Sequence, residues 1–186
     1  MGKPWGVILN LGILKIPLPV KLICAITYSE KINIRDVYDI LHHDYGDIDS
    51  FSKIYHFKYT KYYEKEMTGE LKKVYISFKN LVTAETLPEI KTRTNLFEKI
   101  FAVNSKRVVN LDPGYIEKAK LILVTTKDFS HRIYIGSGIY GDLQYRLKDG
   151  HYLINEWTYP DYRDKEVLDF FLSVRDKYCR DLVNAK

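Results

Sequence analysis

Val20-Lys-Leu-Ile-Cys-Ala-Ile-Thr-Tyr28 decides the fold. Eight of its nine side chains are apolar, aromatic or β-branched. A run this short and this continuous reads as a central strand buried on both faces, too brief for a helix. Working outward from it, Asn33 can cap a helix whose apolar stripe is Ile34, Val37, Tyr38 and Leu41, ended by Gly46 and Asp47. Lys53–Tyr59 alternates in the manner of a strand, and Leu71–Phe78 is another. Thr86-Leu-Pro-Glu89 has the letters of a capping box, with proline in the first turn. The helix it opens is expected to reach about Val103 on Ile90, Phe97, Ile100 and Phe101, before a short strand at Arg107–Leu111. The order is β-α-β-β-α-β, a ferredoxin-like half.

Beyond it, Ala119–Thr126, Arg132–Ile135, Ile139–Leu147 and Tyr152–Trp157 read as strands of an antiparallel meander. A final helix, about Lys165 to Leu182, presents Val167, Phe171, Val174, Tyr178 and Leu182 on one face. The fold class is therefore α+β. One domain is expected over residues 1–186, with 1–19 a loosely packed lead-in.

A chain that is 46% hydrophobic and 28% charged has the composition of a globular protein, not of a disordered one. Its net charge of +5 is compatible with nucleotide, RNA or other anionic partners. Cys24 and Cys179 are expected as free thiols of a reducing cytoplasm, since two cysteines cannot build a zinc site. The apolar stretch from Trp5 to Leu14 is interrupted too soon to span a membrane, so a soluble cytoplasmic protein is expected. No GxxxxGK[ST] occurs, which excludes a P-loop hydrolase at the motif level.

Three clusters concentrate chemistry at strand ends: Asn-Leu-Asp-Pro-Gly-Tyr (110–115), His-Arg-Ile-Tyr-Ile-Gly-Ser-Gly-Ile-Tyr-Gly (131–141) and Trp-Thr-Tyr-Pro-Asp-Tyr (157–162). Asp112 can act as a carboxylate of a site or cap a turn with its own side chain. His131 can be an acid/base group or can bond a backbone carbonyl. Lys127 and Arg132 can grip a phosphate or carboxylate, or remain solvated charges. The glycines of the middle cluster fit a hairpin rather than a dinucleotide loop, because an alternating strand follows where a helix is required. Asp161 is a second site carboxylate, or else Asp161 or Asp164 caps the final helix, while Trp157 and Tyr159 can stack on a base or a sugar. Glu66 is a third candidate carboxylate. His42 and His43 are adjacent on a helix and diverge too far to share an ion.

The expected site is thus Asp112, His131 and Asp161 as catalytic groups, with Lys127, Arg132, Trp157 and Tyr159 binding the ligand. It would bind, hydrolyse or transfer a phosphate-bearing ligand, a nucleotide or an RNA end, with a divalent metal as a candidate cofactor. A nucleic-acid-binding or adaptor module without chemistry, or a structural subunit, is the alternative. Whether the protein is an enzyme stays open in the residues.

Tyr62-Tyr63-x-x-Glu66-Met67, Asn110-Leu-Asp-Pro-Gly-Tyr115, Thr126-Lys127-Asp-Phe-x-His131-Arg132-Ile-Tyr and Trp157-Thr-Tyr-Pro-Asp-Tyr162 resemble the signature strings of domain-of-unknown-function family 4416. The resemblance covers the chain from about Pro19. It implies a prokaryotic cytoplasmic protein and carries over no catalytic residues.

Overall fold

The computed structural model describes residues 14–57, 67, 70–104 and 106–184. Its centre is β1 (Val20–Ser29), in which every residue is buried. Even-numbered side chains of β1 pack against α1 (Ile34–Tyr45) and α2 (Leu87–Ile100). Ile23 and Ala25 pack instead against α3 (Lys165–Asn184). Helices on both faces explain the unbroken apolar run: neither side of the strand meets water.

The remaining strands are β2 (Ile48–Phe51), β3 (Tyr55–His56), β4 (Leu71–Val82), β5 (Val109–Ile116), β6 (Lys120–Thr125), β7 (Arg132–Gly136), β8 (Ile139–Lys148) and β9 (His151–Ile154). They form one antiparallel sheet in the order β2-β4-β1-β5-β6-β8-β7, with β3 on β4 and β9 on β8. The first four positions have the expected ferredoxin-like order, but the second strand of that half is β2 (Ile48–Phe51), which precedes the stretch expected to form it. In the extension β7–β8 and β8–β9 are hairpins, whereas β6 pairs with β8 and not with β7.

Four local expectations change. Thr86 is already helical and its hydroxyl donates to the Thr83 carbonyl, so no capping box forms; the 3-10 turn Ala84–Thr86 leads into α2 instead. Ile100, expected on the buried stripe, is exposed. Of the expected Lys53–Tyr59 strand only Tyr55–His56 is strand, as β3; Lys53, Ile54 and Phe57 are not, and Lys58 and Tyr59 lie outside the described residues. Asp112-Pro113-Gly114 is not a turn but the middle of β5.

The glycine and proline of that tripeptide have separate uses. A Cβ at Gly114 would stand 2.3 Å from the Ile122 carbonyl oxygen, so only glycine lets β5 and β6 approach there. The β5–β6 ladder covers Gly114–Ile116 and stops at Gly114↔Leu123. Backbone groups of a strand point to alternate sides, and the next one facing β6 belongs to Pro113, which has no N–H. From that point β6 stays with β8 as far as Thr125↔Tyr140 and parts from β5. The sheet is split.

Candidate functional site

The split leaves the Leu111 backbone without a neighbouring strand, and α2 supplies the missing partners. Leu111 N–H donates to Glu98 Oε1 at 2.7 Å, and its carbonyl accepts from Lys91 Nζ at 2.7 Å. Buried main-chain groups must be paired, so the two helix side chains stand in for a ladder. Lys91 also reaches Asp112 Oδ1 at 3.4 Å, and Glu98 holds Arg107 at 3.2 Å. Burial pushes the Glu98 carboxyl above its ordinary pKa.

A cavity of about 400 Å³ occupies the split. Lys91 and Asn95 of α2 line one side, and Asn110 and Asp112 of β5 another. Thr125, Thr126 and Lys127 come from the end of β6, and Phe129 and Arg132 from the chain entering β7. Phe57, Lys73, Arg107, Tyr159, Pro160 and Asp161 complete the lining. Five cationic side chains therefore meet two carboxylates.

Both carboxylates are tightly held. Asp112 Oδ2 accepts from Asn110 Nδ2 at 2.6 Å. Burial would raise the Asp112 pKa, but the ammoniums of Lys91 and Lys73 and the bonds from Asn110 and Lys91 outweigh it and hold it below the ordinary value. Asp161 Oδ2 accepts from Lys73 Nζ and from the Tyr75 hydroxyl, each at 2.6 Å. The Lys73 ammonium lies 4.9–5.4 Å from the ring centres of Phe57, Tyr75 and Tyr162, an aromatic cage already occupied by the protein's own cation.

Five of the seven expected site residues line this cavity: Asp112, Lys127, Arg132, Tyr159 and Asp161. His131 and Trp157 do not. Their rings stack on each other, with centres 5.1 Å apart and planes 13° from parallel. His131 Nε2 lies 3.6 Å from Asp142 Oδ2, and Trp157 Nε1 donates to the Leu143 carbonyl. Of the two residues expected as alternative caps of the last helix, Asp161 is engaged with Lys73 and Tyr75. Asp164 is the residue before α3, its carbonyl accepting from the N–H groups of Val167 and Leu168.

Arg132 is more constrained than a free phosphate clamp. Its Nε donates to Asp142 at 2.8 Å, one terminal nitrogen to the Lys127 carbonyl and the other to the Tyr159 hydroxyl. It braces the cavity wall. Burial and the neighbouring Asp142 push the Tyr159 hydroxyl well above its ordinary pKa, so it stays a neutral donor.

Sequence reasoning missed Lys73, Lys91, Asn110, Glu98 and Asp142. Lys91 and Glu98 are seven residues apart on α2, each following a residue of the apolar stripe, Ile90 or Phe97. That spacing was a signal, though exposed charges beside a stripe look the same. Asp142 was hidden by a bulge: Leu121 pairs with Tyr145 and Ile122 with Leu143, leaving Gln144 as an extra residue in β8. Gln144 then bonds Asp142 and the Tyr159 N–H, which ties the aspartate to the 155–159 loop.

Among the described residues no group of three or more His, Cys, Asp or Glu is placed to hold a metal ion. Glu66 lies outside the described residues. No helix among them is long and apolar enough to cross a membrane. No curated protein and no solved structure matches the chain. A family model described as Domain of unknown function (DUF4416) matches residues 18–178, and the chain belongs to that family.

Proposed function

We propose that the cavity in the sheet split binds a phosphate-bearing small molecule of nucleotide size. The observation that carries this reading is the lining, five cations against two carboxylates around about 400 Å³. Small-molecule sites commonly enclose about 300–1,000 Å³. Glu98 and Asp142 stand behind Arg107 and Arg132 and fix those guanidiniums without belonging to the lining. A phosphate offers several acceptor oxygens, which suits convergent Lys, Arg, Asn and Thr donors. Phe129 and Tyr159 add flat surfaces for a base.

In this reading Asp112, held ionised beside Lys91, would orient a water in hydrolysis or transfer, or meet a divalent cation brought in with the phosphate. His131, packed against Trp157 outside the lining, is not used in this reading.

The test is a thermal-shift and calorimetric screen of the full chain against nucleotides, inorganic phosphate and Mg²⁺ or Mn²⁺. A ligand that binds only the folded state raises the melting temperature. Nucleotides are expected to do so, with the gain shrinking as salt rises. A panel in which no phosphate compound shifts the transition or gives binding heat rejects the reading.

One observation favours a second reading, a binding module without chemistry. β7 ends the sheet and turns Ile133, Tyr134 and Ile135 toward solvent, and free sheet edges recruit partner strands. Concentration-dependent sedimentation, with filter binding to RNA at low salt, tests it.

A further inference from the structure

We infer that Asp161 and a small chamber beside it form the subsite for the ribose hydroxyls of a ribonucleoside phosphate. The inference rests on the anion-binding reading of the main cavity and adds the class of molecule that carries the phosphate.

The chamber measures about 110 Å³ and shares Phe57, Lys73 and Asp161 with the main cavity. At roughly 30 Å³ per water molecule, it has room for three or four waters, or for one edge of a sugar. Tyr55, Tyr75 and Val167 supply apolar wall, and His56 and Asp164 polar wall.

Asp161 is the group that gives the chamber a chemical preference. Its side chain is 8% exposed. Oδ2 is fixed by Lys73 and Tyr75, but Oδ1 receives no hydrogen bond from any described residue. The contrast with Asp112 is direct, because both oxygens of that carboxylate are engaged. Oδ1 is not among the fully buried side-chain atoms that lack a partner, so on a mostly buried side chain it is the oxygen that keeps access to solvent, and it takes its donor from water or from a ligand.

Lys73 decides which donor. Its ammonium is bonded to this carboxylate and lies among three aromatic rings. A ligand ammonium would meet a like charge held in the same cage. A hydroxyl donates a hydrogen bond without bringing charge, and its carbon skeleton can lie on the Tyr55 and Phe57 rings. Acceptance of ribose hydroxyls by an acidic side chain is a recurrent solution in nucleotide sites.

The experiment is calorimetric titration of the full chain with the four 5′-ribonucleoside monophosphates, their 2′-deoxy and 2′,3′-dideoxy analogues, inorganic phosphate and aminoethyl phosphate. The tightest ribonucleotide is expected to bind about tenfold to a hundredfold better than its dideoxy analogue, the range for a hydrogen bond to a charged group. Asp161→Asn is expected to bring that ratio close to one. Because this variant also removes the partner of Lys73 and can unfold, the wild-type ratio decides by itself. Equal binding of ribo and dideoxy compounds overturns the inference and leaves the anion-binding reading standing. Aminoethyl phosphate binding more tightly than every nucleotide also overturns it. If no phosphate compound binds, both readings fall together.

Discussion

Two buried lysines lie on the same face of the sheet, toward opposite ends of β1, and differ in how completely they are satisfied. Lys21 Nζ donates to Asp49 and Asp181, each at 2.7 Å, and reaches the Lys79 carbonyl at 3.4 Å, so its three hydrogens are used. Asp49 is equally engaged, by Lys21 and Lys177 on one oxygen and by Ser77 on the other. Lys73, beside Thr27 in the register, has Asp161 as its hydrogen-bonded carboxylate; Asp161 lines two cavities, and one of its oxygens receives no hydrogen bond from any described residue. The ingredients match. The closed network ties α3 and β2 to β1, whereas the open one has chemical capacity left over, and that difference separates a structural ion cluster from a candidate site.

The largest expected effect tests the closed network. Lys21→Met should lower unfolding stability by about 3–5 kcal/mol, because it leaves Asp49 and Asp181 short of a buried partner. Denaturant unfolding measures it, and nucleotide affinity of the folded fraction should be unchanged. Lost affinity at intact stability would reverse the roles assigned to the two lysines.

Next in size is Gly114→Ala. A Cβ there meets Ile122 backbone at 2.3 Å and Leu123 at 2.9 Å, so the paired part of β5 must move. A cost of about 1–3 kcal/mol is expected from this overpacking, read as a lower denaturation midpoint. An unchanged midpoint would show that the split already lets these strands slide.

The acid response sharpens the comparison further. Burial would raise the Asp49 pKa, but the bonds from Lys21, Ser77 and Lys177 outweigh it, so the folded value lies below the unfolded one. Its contribution is therefore full above the unfolded carboxylate pKa, about 4, and is lost as pH falls through the folded value. Asp49→Asn should flatten the decline of stability in acid relative to wild type. Parallel pH–stability curves would remove Asp49 from the closed network.

At the rim of the main cavity, exposed Lys127→Ala should change stability by no more than about 0.5 kcal/mol, as surface substitutions usually do. It should still weaken phosphate-ligand binding, by about tenfold for the loss of one charge-assisted hydrogen bond. The smallest effect is expected at the exposed Lys165–Asp169 pair, where Lys165→Ala should cost less than about 0.5 kcal/mol.

Much of this fold was legible because periodicity reports burial. The β1 run, the Val167–Phe171–Val174–Tyr178 stripe of α3 and the Asn33 cap are as the chain reads. The Gly136-Ser-Gly138 hairpin is too: all three residues have positive φ, which suits a tight reversal. Asp112-Pro113-Gly114 was misread because proline and glycine punctuate turns in most local contexts. Here one stops a ladder and the other permits a close approach, and both are relations to β6 rather than to the neighbouring residues.

The site was half legible for a related reason. Asp112, Lys127, Arg132, Tyr159 and Asp161 stood out by type and position, and the structure gathers them in one lining. His131 and Trp157 stood out in the same way, yet they stack with each other beside it. Lys73 and Lys91 did not stand out, because a lysine in a strand or on a helix reads as solvent-facing until something is found to bury it.

By itself, then, the sequence determined the element order apart from β2, the strand that lies at the centre and the chain segments where chemistry gathers. Those follow from local propensity and from the pattern of apolar residues. The tertiary structure alone decided that the sheet splits beside Pro113, that Lys91 and Glu98 complete the Leu111 backbone, and that Asp161 keeps an open oxygen. Each of these depends on which hydrogen-bonding groups remain unsatisfied after distant segments meet, and no local pattern encodes that remainder.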